Sequence, residues 1–176
     1  MPDRRDPFPP PDDTARAEAQ RLMRAATSAS LGVLHPVTRT PYVTRIAIGL
    51  DRQGRLFSLV SDLSIHTGGL RIEPACGLMI GEAACRSALA SPRISLSATA
   101  RFVEKAAPEG QVLSADWVAL FPESSAYIDF ADFHLVISKT SDIEHRVKCT
   151  FGRNGGQSKL SFDFSQNMFA AIFVNV

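Results

Sequence analysis

The sequence predicts a mainly β (α+β) domain in which six short strands form an antiparallel barrel flanked by helices. Three observations predict this class. Apolar and polar residues alternate along residues 93–104, the period of a half-buried strand. Short strand-like segments follow one another through short loops, which favours antiparallel pairing in a curled sheet. The 176-residue chain has 45% apolar and 21% charged residues, an ordinary balance for one globular domain.

The first third of the chain predicts one helix and three strands. Residues 1–13 contain five prolines and predict a flexible arm. Thr14 is suited to cap a helix over residues 15–26, which carries an apolar stripe. Gly54 is suited to the positive φ of a hairpin loop between the second and third strands. The three strands are predicted over residues 30–35, 42–51 and 56–60.

The segments that follow predict two helices and three more strands. Residues 61–73 predict a short helix that is entered through serines and ends before Pro74. The nearly continuous apolar run over residues 75–81 predicts a strand that is buried on both faces or lies at a subunit contact. A second helix is predicted over residues 108–120. The remaining two strands are predicted over residues 93–104 and 133–138.

Beyond Thr140 the regular pattern weakens, because Gly152, Gly155 and Gly156 interrupt it. The sequence therefore predicts three parts. Residues 1–13 form the arm, residues 14–140 form the barrel domain, and residues 141–176 form an irregular segment whose phenylalanines pack on the barrel or across a dimer.

The charge balance and the cysteines exclude several classes of protein. The 19 Lys and Arg residues nearly cancel the 18 Asp and Glu residues, so no broad basic surface is expected to attract nucleic acid or a membrane. No apolar run approaches the roughly 20 residues that span a bilayer. Cys76, Cys85 and Cys149 are odd in number and follow no C-x-x-C spacing. This use of cysteine favours a reducing, cytoplasmic location.

Polar residues around the third strand indicate an anion site. Arg45 lies on a strand, while serines, a histidine and a threonine surround the start of the following helix, where backbone N–H groups favour a phosphate. The set comprises Arg45, Ser61, Ser64, His66 and Thr67. Structural alternatives remain open, because Arg45 could instead pair with Asp62 and the hydroxyls could simply cap the helix. Gly68 and Gly69 either weaken this helix or let a ligand approach its backbone.

Several segments together resemble a known family. They are Thr44-Arg45-Ile46-Ala47-Ile48, Gly54-Arg-Leu-Phe57, Ser61-Asp62-Leu-Ser64-Ile-His66-Thr67-Gly-Gly-Leu70 before Glu73-Pro74, and Ala90-Ser-Pro-Arg93-Ile94-Ser-Leu96. Over roughly residues 25–137 the chain resembles the FMN-binding split barrels related to pyridoxamine 5′-phosphate oxidase, within their haem-utilisation (HugZ-like) branch.

This resemblance implies a six-stranded antiparallel split barrel that forms a homodimer with FMN between the subunits. It implies that Arg45 pairs with the FMN phosphate, together with Ser64, His66 and Thr67. The other implied contacts are Ser61 and Asp62 near the ribityl chain or ring edge, and the backbone of Ile46, Ala47 and Ile48 alongside the ring. Arg93 is a further candidate for contact with a ring edge, which could be that of the flavin held mainly by the partner subunit.

The chain departs from the family pattern at two places. Where the oxidase branch commonly has Arg and Lys after the serine, this chain has Ile65 and His66, which implies a modest and pH-sensitive affinity for FMN. The sequence after Thr140 matches the haem-utilisation pattern poorly. No Trp or Arg set that would grip a pyridoxal substrate is evident near the C-terminus, so oxidation of pyridoxamine phosphate is not expected.

The resemblance leads to a flavin-dependent oxidoreductase of an unidentified small substrate, with a link to haem utilisation. The alternative is a protein that binds or sequesters flavin or haem without turnover, for which His134 or His145 would be the axial ligand. A third reading is a structural dimer that has lost its ligand. No acid, base or nucleophile stands out as catalytic. His134, His145 and Cys149 lack a fourth ligand, so no metal site is predicted.

Overall fold

The computed structural model describes residues 13–81, 91–140, 147–153 and 156–162. The predicted N-terminal arm lies almost wholly outside these ranges. These residues include three α-helices and a 3-10 turn: α1 Asp13–Ala25, α2 Ile65–Ile72, α3 Pro108–Leu120 and the turn Pro122–Ala126. The strands are β1 Ser28–Leu34, β2 Pro41–Ala47, β3 Gly49–Leu50, β4 Leu56–Ser61, β5 Ala75–Ile80, β6 Arg93–Val103, β7 Phe133–Thr140, β8 Val147–Arg153 and β9 Gly156–Phe162.

The strands form one antiparallel sheet that curls into a barrel. The order across the sheet is β2-β1-β5-β6-β7-β4-β3. Residues 41–47 pair with β1 at one end of this order, and residues 49–50 pair with β4 at the other end. Because these two segments are consecutive in the chain, the sheet returns to its starting point. The predicted antiparallel split-barrel class is confirmed.

The barrel contains seven strands rather than the predicted six, because the second predicted strand is interrupted. Ile48 separates β2 from β3, and its N–H donates to the carbonyl oxygen of Thr27 at 3.1 Å instead of joining a ladder. Its side chain is 1% exposed and packs in the core. The interruption turns the chain from one edge of the sheet to the other, so β2 and β3 together fill the place of one strand.

Among the described residues, two apolar clusters form the core. The larger one fills the barrel and includes Ala19 and Met23 of α1, so this helix covers the sheet as its apolar stripe predicts. The smaller cluster lies beneath α3, where the rings of Phe57 and Trp117 meet edge to face with centroids 5.4 Å apart. The helix α3 occupies residues 108–120, as predicted.

An ion network fastens α3 to the strands. Glu109 in its first turn accepts hydrogen bonds from Arg101 of β6 and from Arg55, at 2.7 Å and 2.6 Å. Arg55 also donates to buried Asp51 at 2.7 Å. These contacts lower the pKa of Glu109 to about 2, chiefly through the hydrogen bonds from Arg101 and Arg55.

Strand β5 differs from its prediction. Its side chains alternate, with Leu78 and Ile80 buried and Ala75, Gly77 and Met79 exposed. Within this chain the strand is therefore buried on one face only. The alternative prediction, a subunit contact on the outer face that carries Ala75, Gly77 and Met79, stays a prediction.

The C-terminal part also differs from the irregular segment that the sequence predicts. Residues 147–153 and 156–162 form an antiparallel hairpin, β8 and β9, and β8 pairs with the start of β6. Gly152 lies within β8 and pairs with Gln157, so it does not end the strand. Residues 141–146 and 163–176, which include most of the predicted aromatic tail, lie outside the described residues.

Candidate functional site

A chain elbow, residues 61–64, leads from β4 into α2. The N–H of Asp62 donates to the carbonyl oxygen of Asp132 at 2.8 Å, and the hydroxyl of Ser61 donates to the Asp132 carboxylate at 3.0 Å. The N–H of Ser64 closes the elbow by donating to the carbonyl oxygen of Ser61 at 3.0 Å. The elbow is therefore fixed to the segment that precedes β7.

Thr67 stabilises the elbow from beneath. Its side chain is fully buried, and its hydroxyl donates to the carbonyl oxygen of Ser61 at 2.6 Å. A side chain with no exposed surface makes no direct contact with a ligand at the surface of this chain. Thr67 therefore stabilises the conformation of the elbow through its hydrogen bond to Ser61.

The N-terminus of α2 carries no side-chain cap. Ser64 occupies the N-cap position with extended φ and ψ of −93° and 132°, but its hydroxyl makes no capping hydrogen bond. No acidic residue lies in the first turn. The first backbone N–H groups of a helix have no partner inside the helix. Those of Ile65 and His66 therefore stand at the positive end of the helix dipole, where an anion is favoured.

His66 lies in this same first turn. Its side chain is 8% exposed, and its Nε2 has no hydrogen-bond partner among the described residues. Desolvation by burial lowers its pKa from the ordinary value of 6.5. At neutral pH the imidazole is therefore uncharged, and a buried polar atom at the helix start lacks a partner.

Asp62 is held on both sides. Arg71, in the last turn of α2, donates to its Oδ1 at 3.1 Å, and Nε2 of His134 lies 2.8 Å from its Oδ2. The hydrogen bond from His134 is the main cause of the lowered pKa of this carboxyl, and Arg71 adds to the effect. Asp62 is therefore paired with Arg71 and His134, and not with Arg45 as the structural alternative predicted.

Of the residues predicted on strands, Arg45 and Ala47 lie at the outer surface. Arg45 is exposed on β2, opposite Ser30 of β1, and Ala47 is exposed two residues later, while the Ile46 side chain is buried. Arg93 begins β6 and donates from Nη1 to the carbonyl oxygen of Ser91 at 3.3 Å. The predicted set thus comprises an outer group on the strands and a helix-start group on the elbow and α2.

Paired glycines lie on the same outer surface as Arg45. Gly32 of β1 is the register partner of both Val43 and Gly77. A Cβ at Gly32 would lie 3.7 Å from the nearest atom of its surroundings, and a Cβ at Gly77 would lie 4.0 Å from the nearest one. Packing within the described residues therefore does not require glycine at either position.

The glycines of α2, in contrast, lie where the packing leaves little room for a Cβ. A Cβ at Gly69 would lie 2.6 Å from the carbonyl oxygen of Leu34, and one at Gly68 would lie 3.3 Å from the Pro36 ring. The close approach that the sequence indicates at these glycines is therefore made by β1 and the residues after it. Gly69 lets α2 lie directly on the end of that strand.

Sequence reasoning did not find three members of the site: Arg71, Asp132 and the contact of His134 with Asp62. Asp62 and His134 are separated by 72 residues. Pairing of β4 with β7 places His134 opposite Val60, next to the elbow. The contact between Asp62 and His134 follows from this strand register, which the sequence alone does not specify.

Other chemistry has little support in the described ranges. No group of three or more metal-ligating side chains occurs there. Burial raises the pKa of the Cys76 thiol to about 11, which keeps it protonated. Within the same ranges, no helix is long and apolar enough to cross a bilayer. His145 lies outside these residues, and Cys149 lies in β8.

Comparison with solved structures identifies the fold. One solved chain is 30% identical and superposes with a TM-score of 0.71, covering 92% of this chain and 99% of that one. A candidate pyridoxamine 5′-phosphate oxidase from Listeria innocua is 13% identical, with a TM-score of 0.54 over 70% of this chain and 90% of that one. The chain belongs to the pyridoxamine 5′-phosphate oxidase-related split barrels.

Two further split barrels confirm the predicted resemblance. The haem storage protein HutZ from Vibrio cholerae is 19% identical, with a TM-score of 0.63 over 71% of this chain and 89% of HutZ. A haem-binding protein from Mycobacterium smegmatis is 23% identical, with a TM-score of 0.71 over 92% of this chain. This split barrel spans only 62% of the length of the mycobacterial protein. No protein-family model and no curated protein sequence matches the chain.

Proposed function

We propose that this split barrel is an FMN-binding flavoprotein, a flavin-dependent oxidoreductase of a small substrate, whose cofactor phosphate binds at the N-terminus of α2. The observation that carries the proposal is the first turn of this helix. Its serine cap is unused, and Nε2 of the buried His66 has no partner among the described residues. A phosphate would give both groups a hydrogen-bond partner.

The described residues fit an anionic flavin. Ser64, His66 and the first-turn N–H groups would bind phosphate oxygens, and Arg45 would add a permanent positive charge. Thr67 would act through the elbow that it shapes. The remaining proposed contacts are Ser61 and Asp62 toward the ribityl chain, the backbone of Ile46 and Ala47 beside the ring, and Arg93 at the ring edge. Bound FMN would supply the redox chemistry, and the protein would orient the cofactor and shelter it from water.

The state of His66 makes the proposed affinity depend on pH. Burial favours the neutral imidazole, whereas a phosphate beside Nε2 favours the protonated one. The binding free energy of the phosphate would therefore be reduced by the cost of protonating His66. This supports a modest affinity at neutral pH, as the replacement of lysine by histidine implies.

The outer surface supports a homodimer as part of the same proposal. Around Gly32 and Gly77 lie small or hydroxylated residues of β5 and β6, together with Val43, which is 70% exposed. Glycine inside a strand costs stability and often marks a place where another backbone or a ligand approaches closely. A second copy of the chain on this surface would cover Val43 and bring Arg45 to the subunit boundary.

The likeness to HutZ and to the mycobacterial haem-binding protein favours a second candidate, the binding or storage of haem or flavin without turnover. Haem would need an axial ligand. Nε2 of His134 already faces Asp62, which makes His134 a poor candidate. The absorbance spectrum of the purified protein separates haem from flavin as the ligand, since a Soret band supports haem binding, whereas flavin bands are expected for a flavin oxidoreductase and for a flavin-storage protein alike.

The proposal is tested by releasing the bound small molecule with heat and measuring flavin fluorescence and phosphate content. We expect FMN. A protein that releases no flavin and does not bind added FMN contradicts the proposal. Anaerobic reduction of the bound FMN by reduced nicotinamides, with re-oxidation by candidate acceptors, then separates an oxidoreductase from a storage protein.

A further inference from the structure

Asp62 lies two residues before the N-cap of α2 without capping the helix. An aspartate near a helix start commonly accepts the free N–H groups, because carboxylates favour the positive end of the dipole. Here the carboxylate is turned toward Arg71 and His134, at 3.1 Å and 2.8 Å. The helix start thereby remains without a negatively charged cap.

The two partners of Asp62 are themselves fixed by packing. The guanidinium of Arg71 lies over the ring of Phe102 in β6, with Cζ 4.5 Å from the ring centroid. The imidazole of His134 meets the same ring edge to face, with centroids 6.1 Å apart. Phe102 thus supports both residues from one side, and the Asp62 carboxylate contacts both from the other.

The second carboxylate beside the elbow is also engaged. Asp132 accepts the hydroxyl of Ser61 at 3.0 Å, and its carbonyl oxygen accepts the N–H of Asp62 at 2.8 Å. Both nearby acidic side chains therefore have partners away from the first turn of α2. This arrangement matters because a carboxylate and a phosphate compete for the same N–H groups.

We propose that Arg71 and His134 are positioning residues that hold the Asp62 carboxylate away from the N-terminus of α2, which keeps this site open to the anionic group of the ligand. The inference rests on the proposed function, because it concerns the same site. When Arg71 is lost, Asp62 is released from one side and caps the helix, so the protein inhibits its own binding of the anion. Neutralising Asp62 removes the competitor.

The test is a set of FMN titrations followed by quenching of flavin fluorescence. We expect Arg71→Gln to weaken FMN binding about tenfold in the wild type, and to change it by less than about threefold when it is introduced into Asp62→Asn. Asp62→Asn is the reference for the second comparison, because any ribityl contact of Asp62 is already altered in it. The matched controls are Arg21→Gln and Arg21→Gln with Glu18→Gln, which change an ion pair on α1 and should leave binding unchanged.

His134 offers a conservative variant. The side-chain amide of glutamine can replace the Nε2–H donor of histidine, whereas leucine cannot. We therefore expect His134→Gln to bind FMN nearly as the wild type does and His134→Leu to bind it as weakly as Arg71→Gln. A purely structural role for the ring would make both substitutions equally harmful, which would overturn the role of this residue.

Backbone amide NMR of the ligand-free protein gives an independent readout. In Arg71→Gln the amide signals of Ile65 and His66 should shift as the carboxylate caps the helix, and the shift should disappear when Asp62→Asn is added. An equal loss of FMN affinity from Arg71→Gln with and without Asp62→Asn, or unshifted amide signals, would overturn the inference. Failure of the wild type to bind FMN, with the amide shifts present, would instead overturn the proposed function.

Discussion

Gly69 of α2 lies directly against the carbonyl oxygen of Leu34 at the end of β1. A Cβ on residue 69 would lie 2.6 Å from that oxygen and 3.1 Å from Cγ2 of Val33. Backbone atoms cannot turn aside as a flexible side chain can, so the contact fixes the distance between helix and strand. The start of α2, and with it the proposed phosphate site, is positioned by the absence of a side chain at Gly69.

Gly69→Ala should therefore destabilise the fold and displace α2. We expect a loss of about 2 kcal/mol in the free energy of unfolding, because added atoms overpack the contact. Gly68→Ala is the matched control, since its Cβ would meet only the Pro36 ring at 3.3 Å. In Gly68→Ala the gain in helix propensity of about 1 kcal/mol offsets the cost of the tight contact with Pro36, so we expect little change in the free energy of unfolding. Urea unfolding of both variants tests the difference, and equal effects would contradict it.

Glu109→Gln should weaken the attachment of α3. The Glu109 side chain is 36% exposed, so solvent screening keeps the expected loss near 1 kcal/mol in spite of its two arginine partners. Because the pKa in the folded state is about 2, the stabilisation is complete above the ordinary value of 4.5 and is lost as the pH falls toward 2. Denaturant unfolding at pH 7 and pH 3 measures the change.

The control for Glu109 is Glu123→Gln, which alters an exposed carboxylate in the 3-10 turn. We expect this variant to unfold as the wild type does at both pH values. If Glu109→Gln destabilised the protein equally at pH 7 and at pH 3, its ionised form would not be the source of the stability.

His66 should make the ligand-free protein less stable in mild acid. Its pKa is lowered in the folded state by burial, so the unfolded chain binds a proton more readily. The free energy of unfolding should therefore decline as the pH falls below the ordinary histidine value of 6.5, until the folded form also protonates. Urea unfolding at pH 7.5 and 5.5 should show a smaller decline for His66→Gln. An identical decline in both proteins would remove His66 as the cause.

Gly77→Val should weaken the proposed homodimer and leave the monomer folded. The added side chain meets no close atom of the described chain, and valine suits a strand, so thermal unfolding should be unchanged or slightly raised. On the subunit surface it would separate two closely packed sheets. Sedimentation equilibrium should show at least about tenfold weaker association, the effect of overpacking by more than 1 kcal/mol. Ala119→Val on exposed α3 should associate normally.

Much of the fold could be predicted from local signals. The alternation along β6 reports a strand with one buried face, and it is found over residues 93–103. Pro108 and the Phe121-Pro122 pair mark both ends of α3. Gly54 has the positive φ of 76° that its hairpin loop predicts. Each of these signals depends on neighbouring residues alone.

The remaining features depend on distant residues. Whether the apolar residues of β5 are buried depends on what packs over its outer face, and composition does not distinguish alanine in a core from alanine on a surface. The interruption at Ile48 arises because the closing sheet needs a corner there. Likewise, two features of the elbow depend on the pairing of β4 with β7, which no local pattern specifies. They are the missing capping hydrogen bond of Ser64 and the contacts of Asp62 with Arg71 and His134.

The most direct test of the central claim compares the binding of FMN with that of riboflavin, which lacks the phosphate, to the wild type and to Arg45→Ala. We expect the wild type to bind FMN at least about tenfold more tightly than riboflavin, because charge-assisted hydrogen bonds to phosphate contribute about 1.5 to 3 kcal/mol. Arg45→Ala should lose most of this preference while its affinity for riboflavin stays the same. Equal affinity of the wild type for the two flavins would contradict a phosphate site at the start of α2.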